Sequence, residues 1–200
     1  MHAPVPILIA GPSGVGKSTI IQAIVDRFPQ LALYKTTTTR DRRSSVDDKY
    51  YFVSENEFKS LIEAGRMLEW AKVHGHYYGA QKKHIQEILD HGKFPLPENA
   101  VDVQGVRTYR KVFPGLLAIF VAFESLEELP KRIRKTRPEA TEEEISTRLA
   151  SAQREMAAII EYRHVVINHE GKLDKAIQEV AGIIKKILGI TPIAERSRTL

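Results

Sequence analysis

No cysteine occurs in the 200 residues, which excludes a disulfide framework, a thiolate metal site and a cysteine nucleophile. Long apolar runs are lacking as well. The one near the N-terminus, 5–10, is far shorter than the ~20 residues of a membrane span, and no basic segment with a cleavage site surrounds it. These absences predict a cytoplasmic protein with no membrane partner. There is no internal repeat and no low-complexity stretch, and the 8% of aromatic residues do not interleave with the basic runs as single-strand stacking readers require. Nucleic acid is therefore not the expected partner.

What is present is ordinary for a soluble globular chain: 42% hydrophobic and 28% charged residues. A chain this long fits one domain with small inserted lobes and buries roughly 70% of its unfolded surface. Thirty basic against twenty-five acidic residues give a net charge of +5 and a pI near 9.3, a balance that suits a polyanionic ligand.

The apolar run Pro6-Ile7-Leu8-Ile9-Ala10 reads as a buried parallel strand, and Ser18–Phe28 carries apolar residues at helical spacing. Strands are predicted over 51–53, 67–73, 100–103, 117–123 and 164–168, with a turn over Gly75–Gly79. Helices are predicted from Ser54 to Ala64, Gln81 to His91, Gln104 to Phe113, Ser125 onward, Thr141 to Tyr162 and Leu173 to Leu188. Ser54 with Glu57, Ser125 with Glu128 and Thr141 with Glu144 each have capping-box spacing. Strands alternating with helices indicate an α/β fold whose parallel sheet is covered on both faces and binds ligands at the carboxyl ends of its strands.

Gly11-Pro12-Ser13-Gly14-Val15-Gly16-Lys17-Ser18 satisfies G-x-x-x-x-G-K-[ST] between a strand and a helix. In that loop the glycines let backbone N–H groups turn toward phosphate oxygens, Lys17 reaches the outer phosphates and Ser18 offers a hydroxyl to Mg²⁺. The loop specifies a nucleoside triphosphate site, not a reaction. Asp102-Val103-Gln104-Gly105 matches the D-x-x-G of GTPases, but no N-K-x-D segment follows to recognise a guanine base. Arg40, Arg42 and Arg43 fall within four positions after a threonine run, with Tyr50-Tyr51 and Tyr77-Tyr78 downstream. Guanidinium forks and tyrosine hydroxyls make a plausible clamp for a second phosphate; a solvated polar loop is the plainer reading of the same residues.

The chain resembles the guanylate kinase family. The resemblance is carried in order by Gly11–Thr19, Thr38-Thr39-Arg40-x-x-Arg43, Tyr51-Phe52-Val53-Ser54, Leu68-Glu69-Trp70-Ala71, Tyr77-Tyr78-Gly79, Asp102-Val103-Gln104-Gly105 and Val166-Ile167-Asn168, across nearly the whole sequence. It implies an α/β P-loop three-layer sandwich with a mainly parallel central sheet, a small inserted NMP-binding lobe and a helical lid. Mapped onto the chain, these are core 1–33, NMP-binding lobe 34–80, core 81–130, lid 131–147, core 148–190 and a flexible tail 191–200. It implies transfer of the γ-phosphoryl group of ATP to GMP with Mg²⁺, by a monomer or homodimer.

By resemblance, Gly11, Pro12, Ser13, Gly14, Val15, Gly16, Lys17, Ser18, Thr19 and Asn168 hold ATP, and Thr36, Arg40, Arg43, Tyr50, Glu69, Tyr78 and Asp102 hold GMP. Asp102 is assigned either to guanine or to magnesium-bound waters, and Asn168 either to the adenine or to a strand-end cap. Guanine presents N1–H beside its 2-amino group, and an ionised Glu69 carboxylate offers two matching acceptors. Trp70 reads as a core filler. Lys131-Arg132-Ile133-Arg134-Lys135-Thr136-Arg137, with Arg148 beyond it, resembles the family's arginine-bearing lid, which makes Arg132, Arg137 and Arg148 catalytic together with Lys17.

Two departures stand out. Ala80 replaces the serine or threonine whose hydroxyl reaches guanine O6, and Pro95, Pro97 and Ala100, with two extra residues, replace an apolar strand ending in acid-x-Asp. Proline in a central strand cannot donate to the ladder, so the strand is predicted to begin after Pro97 or to be irregular. These changes leave room for another acceptor, such as dGMP, IMP, AMP or a sugar phosphate. Family modules that bind phosphorylated peptides instead typically lose the loop lysine, and Lys17 is intact here.

Overall fold

The computed structural model describes residues 3–42, 48–73, 75–99 and 101–193, with the side chain of Thr136 left aside. Strand β1 (Ile7–Ala10) is buried at every position, as its unbroken apolar run requires. Gly11 follows with φ +133°, and a Cβ there would lie 2.0 Å from the Val121 carbonyl oxygen, so no other residue fits. Helix α1 (Lys17–Arg27) then buries Ile20, Ile21 and Ile24. By contact density the described residues form two compact units, one within 9–29 and 118–193, the other within 3–8 and 30–117.

The second unit contains β2 (Leu31–Tyr34), β3 (Thr36–Thr38), β4 (Tyr50–Phe52), α2 (Glu55–Glu63), β5 (Met67–Val73), β6 (His76–Gln81), α3 (Lys82–Asp90), β7 (Phe94–Pro97) and α4 (Val103–Val112). β4, β3, β6 and β5 form one sheet in that order, with β3–β4 parallel and β3–β6 and β5–β6 antiparallel. β2 and β7 form a separate parallel pair. The capping box of Ser54 and Glu57 is made in full at the start of α2.

Four expectations for this unit are corrected. The strand placed at 100–103 lies at Phe94–Pro97 and contains both prolines. It tolerates them because neighbouring residues of a strand aim their N–H groups to opposite sides. Phe94 N donates to Gln30 O and Glu98 N to Tyr34 O, at 2.9 and 3.0 Å, so Pro95 and Pro97 occupy the positions facing away from β2. That far edge lacks donors, and the ladder stops at β7. The threonine run is strand β3, buried throughout, and two of its hydroxyls are tied down: Gln81 Nε2 donates to Thr37 Oγ1 at 2.8 Å and Thr38 Oγ1 donates to the Tyr77 carbonyl at 2.9 Å. The turn expected over Gly75–Gly79 gives way to strand by His76. Trp70 is 46% exposed and leans on Tyr77, because β5 alternates and turns Glu69 and Ala71 to its other face.

The first unit adds β8 (Leu117–Ala122), α5 (Leu129–Thr136), α6 (Glu142–Ala157), β9 (His164–Ile167) and α7 (Leu173–Leu188). β1, β8 and β9 form a sheet in that order, with β8–β9 parallel. α7 buries Ala176, Ile177, Val180, Ile184 and Leu188, and packs on α1 and β9. Thr141 and Glu144 complete their capping box, but Ser125 and Glu128 do not. The Ser125 hydroxyl accepts from Glu127 N in a short 3₁₀ turn, and the Glu128 carboxylate accepts from Arg132 instead. Of the tail, 194–200 lies outside the described residues. Among the described residues, no helix is long and apolar enough to cross a membrane.

Candidate functional site

Two cavities hold most of the residues singled out above, one in each unit. The first, of about 660 Å³, is lined by Ser13, Gly14 and Gly16 of the glycine loop, by Arg132, Arg137 and Arg148, and by Asn168 and the residues after it. Gly16 precedes α1 without a side-chain cap, so the first N–H groups of the helix lack capping acceptors and make an anion site. The Lys17 ammonium donates to the carbonyls of Gly11 and Pro12, at 2.5 and 2.7 Å. Desolvation by the enclosing loop lowers its pKa to about 8, partly offset by Glu155. Ser18 and Thr19 are exposed in the first turn of the helix.

Asn168 braces the loop from beneath. Its Nδ2 donates to the Val15 carbonyl at 2.8 Å, its backbone N–H donates to Ala122 O, and its Oδ1 is a buried acceptor without a partner. Removing the amide frees the loop backbone from β9. Asn168→Ala is expected to raise KM for the triphosphate by a factor of roughly 2–10, the worth of one neutral hydrogen bond, with the monophosphate KM unchanged; initial rates at varied concentrations of each nucleotide check this.

Arg132, Arg137 and Arg148 differ in their surroundings. Arg132 Nη2 donates to Glu128 Oε2 at 2.7 Å and to the Asn168 carbonyl at 3.0 Å, and its guanidinium lies 5.0 Å from the centre of the Phe123 ring. Arg148 on α6 reaches Ser13 Oγ at 3.4 Å, and Arg137 is exposed at the end of α5. His169 and Glu170 also line this cavity and were missed from the sequence; His169 pairs with Glu124, holding that carboxylate below its usual range.

The second cavity, of about 200 Å³, brings together Thr36, Tyr50, Glu69, Tyr78 and Asp102 with Ala71, Val73, Gly79, Asn99 and Val101. Register explains the gathering. Thr36 lies opposite Tyr50 across β3–β4, and Glu69 and Ala71 alternate onto the same face of β5, Ala71 opposite Tyr78. Asp102 caps α4 by accepting from Gly105 N at 2.7 Å. A Cβ on Gly105 would lie 3.3 Å from both Asp102 Oδ1 and Glu69 Oε2, so the absence of a side chain there lets the two carboxylates approach. Burial pushes Glu69 up to a pKa of about 7, and the Asp102 charge pushes in the same direction.

Some expected members stand apart. Arg40 does not line this cavity; its guanidinium sits over the rings of Tyr50 and Phe52, 5.3 and 5.4 Å from their centres. Arg43 and Ala100 lie outside the described residues. Ala80 is fully buried opposite Glu69 and lines neither cavity, and Glu98 does not line this one. Asn99 and Val101 were missed from the sequence, where their nearness to Asp102 was the available signal.

Comparison with known proteins identifies the family. The guanylate kinase family model matches residues 3–187. The guanylate kinase of Caldanaerobacter subterraneus subsp. tengcongensis is 42% identical over 180 residues, covering 89% of this chain and 85% of the relative. That of Thermosynechococcus vestitus is 41% identical over 175 residues, covering 86% and 88%. In fold, the crystal structure of guanylate kinase from Anaplasma phagocytophilum matches with a TM-score of 0.71 at 23% identity, over 93% of this chain and 87% of that one. With a phosphate loop at one cavity, paired carboxylates in the other and relatives of this identity along most of its length, the chain belongs to the guanylate kinase family of nucleoside-monophosphate kinases, which are phosphotransferases.

Proposed function

We propose that the chain transfers the γ-phosphoryl group of ATP to GMP, and to dGMP through the same base contacts, giving ADP and GDP or dGDP. The observation that carries this choice of acceptor is the convergence of Glu69 and Asp102 in one cavity with Thr36, Tyr50 and Tyr78. Ionised Glu69 accepts from guanine N1–H and the 2-amino group, with Asp102 beside it as a further acceptor. Adenine puts an unprotonated nitrogen where guanine has N1–H and leaves the carboxylate unpaired. Tyr50 and Tyr78 take the acceptor phosphate, joined by Arg40, whose guanidinium lies over the Tyr50 ring, and, as the family resemblance implies, by Arg43, and Thr36 supplies the hydroxyl that Ala80 cannot.

The glycine loop and the start of α1 bind the triphosphate, with Lys17 on its outer phosphates. Asn168 offers its buried Oδ1 as an acceptor to the adenine amine. Ser18 would hold Mg²⁺, which supplies charge neutralisation on the β- and γ-phosphates. The exposed hydroxyl in the first helical turn fits a cation bound mainly by phosphates and water. Among the described residues no cluster of His, Asp or Glu competes for it. Phosphoryl transfer then asks the protein for alignment, exclusion of water and neutralisation of charge on the transferring group. Residues 34–80 serve as the monophosphate lobe and 131–147 as the lid that closes with both nucleotides bound.

ADP release with ATP, Mg²⁺ and a panel of monophosphates tests the reading. GMP and dGMP should turn over, IMP, which lacks the 2-amino group, should fall by about 10- to 100-fold, and AMP by roughly 10⁴-fold in kcat/KM. Comparable turnover of AMP and GMP would defeat the assignment of Glu69.

A further inference from the structure

The loop leaving β7 departs most from the family pattern, and it ends in the carboxylate cavity. Asn99 stands in the cavity lining with Tyr50 and Asp102. Its Nδ2 also donates to the backbone carbonyl of Lys49 at 2.8 Å, fifty positions away along the chain. Lys49 immediately precedes Tyr50. On the residue before it, Asp48, the carboxylate meets Lys35 Nζ at 3.3 Å, an exposed pair that contributes little by itself.

The strand entered here needs outside support. β4 has three residues, lies at the edge of its sheet and pairs with β3 alone. A short edge strand held by so few ladder bonds frays readily. Within the cavity the Tyr50 ring meets Tyr78 edge-on, 5.8 Å between centres, and Phe52 at 5.9 Å. Those contacts orient the ring but do not fix the strand along its own axis. A bond from a loop outside the sheet to the carbonyl next to Tyr50 does.

We propose that Asn99 is a positioning residue: it latches the entrance of β4 so that the Tyr50 hydroxyl stays at the acceptor phosphate. The proposal rests on the reading of Tyr50 as a phosphate ligand.

A two-by-two kinetic cycle of Asn99→Ala and Tyr50→Phe tests the latch. Asn99→Ala should raise KM for GMP roughly fivefold, with kcat, KM for ATP and Tm nearly unchanged, since the contact is made equally in ground and transition states. Tyr50→Phe should raise KM for GMP about tenfold. The double variant should match Tyr50→Phe alone, because the hydroxyl that Asn99 positions is gone. The latch falls if the two effects multiply, if Asn99→Ala leaves KM for GMP unchanged, or if it lowers kcat and raises KM for ATP together. If Tyr50→Phe itself has no effect on KM for GMP, the phosphate-ligand reading falls and takes the latch with it.

Discussion

Replacing Glu69 by glutamine is expected to make the protein more stable and less active at once. The carboxyl titrates at about 7 in the folded chain against an ordinary 4.5, because burial and the neighbouring Asp102 charge both oppose ionisation. A folded-state pKa above the unfolded one means that the native state binds more protons between those values. Its stability contribution is therefore complete below pH 4.5 and is lost as pH rises through 7. At pH 8 the ionised side chain carries a penalty of up to about 3 kcal/mol, which a neutral amide of the same shape escapes. Glu69→Gln should thus raise Tm by several degrees at pH 8 and leave it unchanged below pH 4.5. The same substitution sets an amide donor against guanine donors and costs two charge-assisted bonds, so kcat/KM for GMP should drop by about 10²- to 10³-fold. Melting curves at two pH values with GMP kinetics check both halves. Equal melting temperatures at pH 8 would show that the carboxylate is not strained in the folded protein.

That trade-off has a counterpart in the unsubstituted protein. Only ionised Glu69 offers two acceptors to the base, so kcat/KM for GMP should fall as pH drops below about 7, while the triphosphate side is indifferent to this group. A binding site that must hold charge in a part-buried cavity is less stable empty than filled, and in the proposed reaction the guanine edge is the group that would offset the cost.

The glycine loop was legible in the sequence because its chemistry demands a contiguous motif between a strand and a helix. The pairing of Glu69 with Asp102 needs two segments thirty-three positions apart to meet at Gly105, and periodicity contains no trace of that; the family pattern supplied it. The reading failed where tertiary context overrode local chemistry. Thr36–Thr38 read most plainly as part of a solvated loop and is a buried strand, where Gln81 and the Tyr77 carbonyl absorb the hydroxyls of Thr37 and Thr38. Pro95 and Pro97 looked incompatible with a strand, yet their alternation puts both missing donors on one edge. Ser125 and Glu128 have capping-box spacing, but Arg132 outcompetes the backbone N–H for the carboxylate. Asn99 was missed because nothing beyond its nearness to Asp102 marks a side chain that bonds a carbonyl fifty positions away.

Substitution of Arg148 by alanine should slow the chemical step far more than it weakens binding. Arg148 reaches toward Ser13 from α6, and Arg137 stands at the end of α5 on the wall of the same cavity as Gly14 and Gly16. Guanidinium groups so placed can act on charge that spreads over the transferring phosphoryl group, a contribution of about 10³- to 10⁵-fold in rate. Arg148→Ala and Arg137→Ala are each expected to lower kcat by roughly 10³-fold, about 4 kcal/mol of barrier, with the ATP KM changing by less than about threefold. Arg134, whose guanidinium is paired with Glu142 on the exposed side of the helices, is the control; its alanine variant should stay near the parent rate. Lysine at 137 or 148 should recover little, because an ammonium cannot present two parallel donors to a phosphoryl group. A loss confined to KM would move these arginines from transition-state stabilisation to simple nucleotide binding, and the lid would then have no part in the chemistry beyond closing the site.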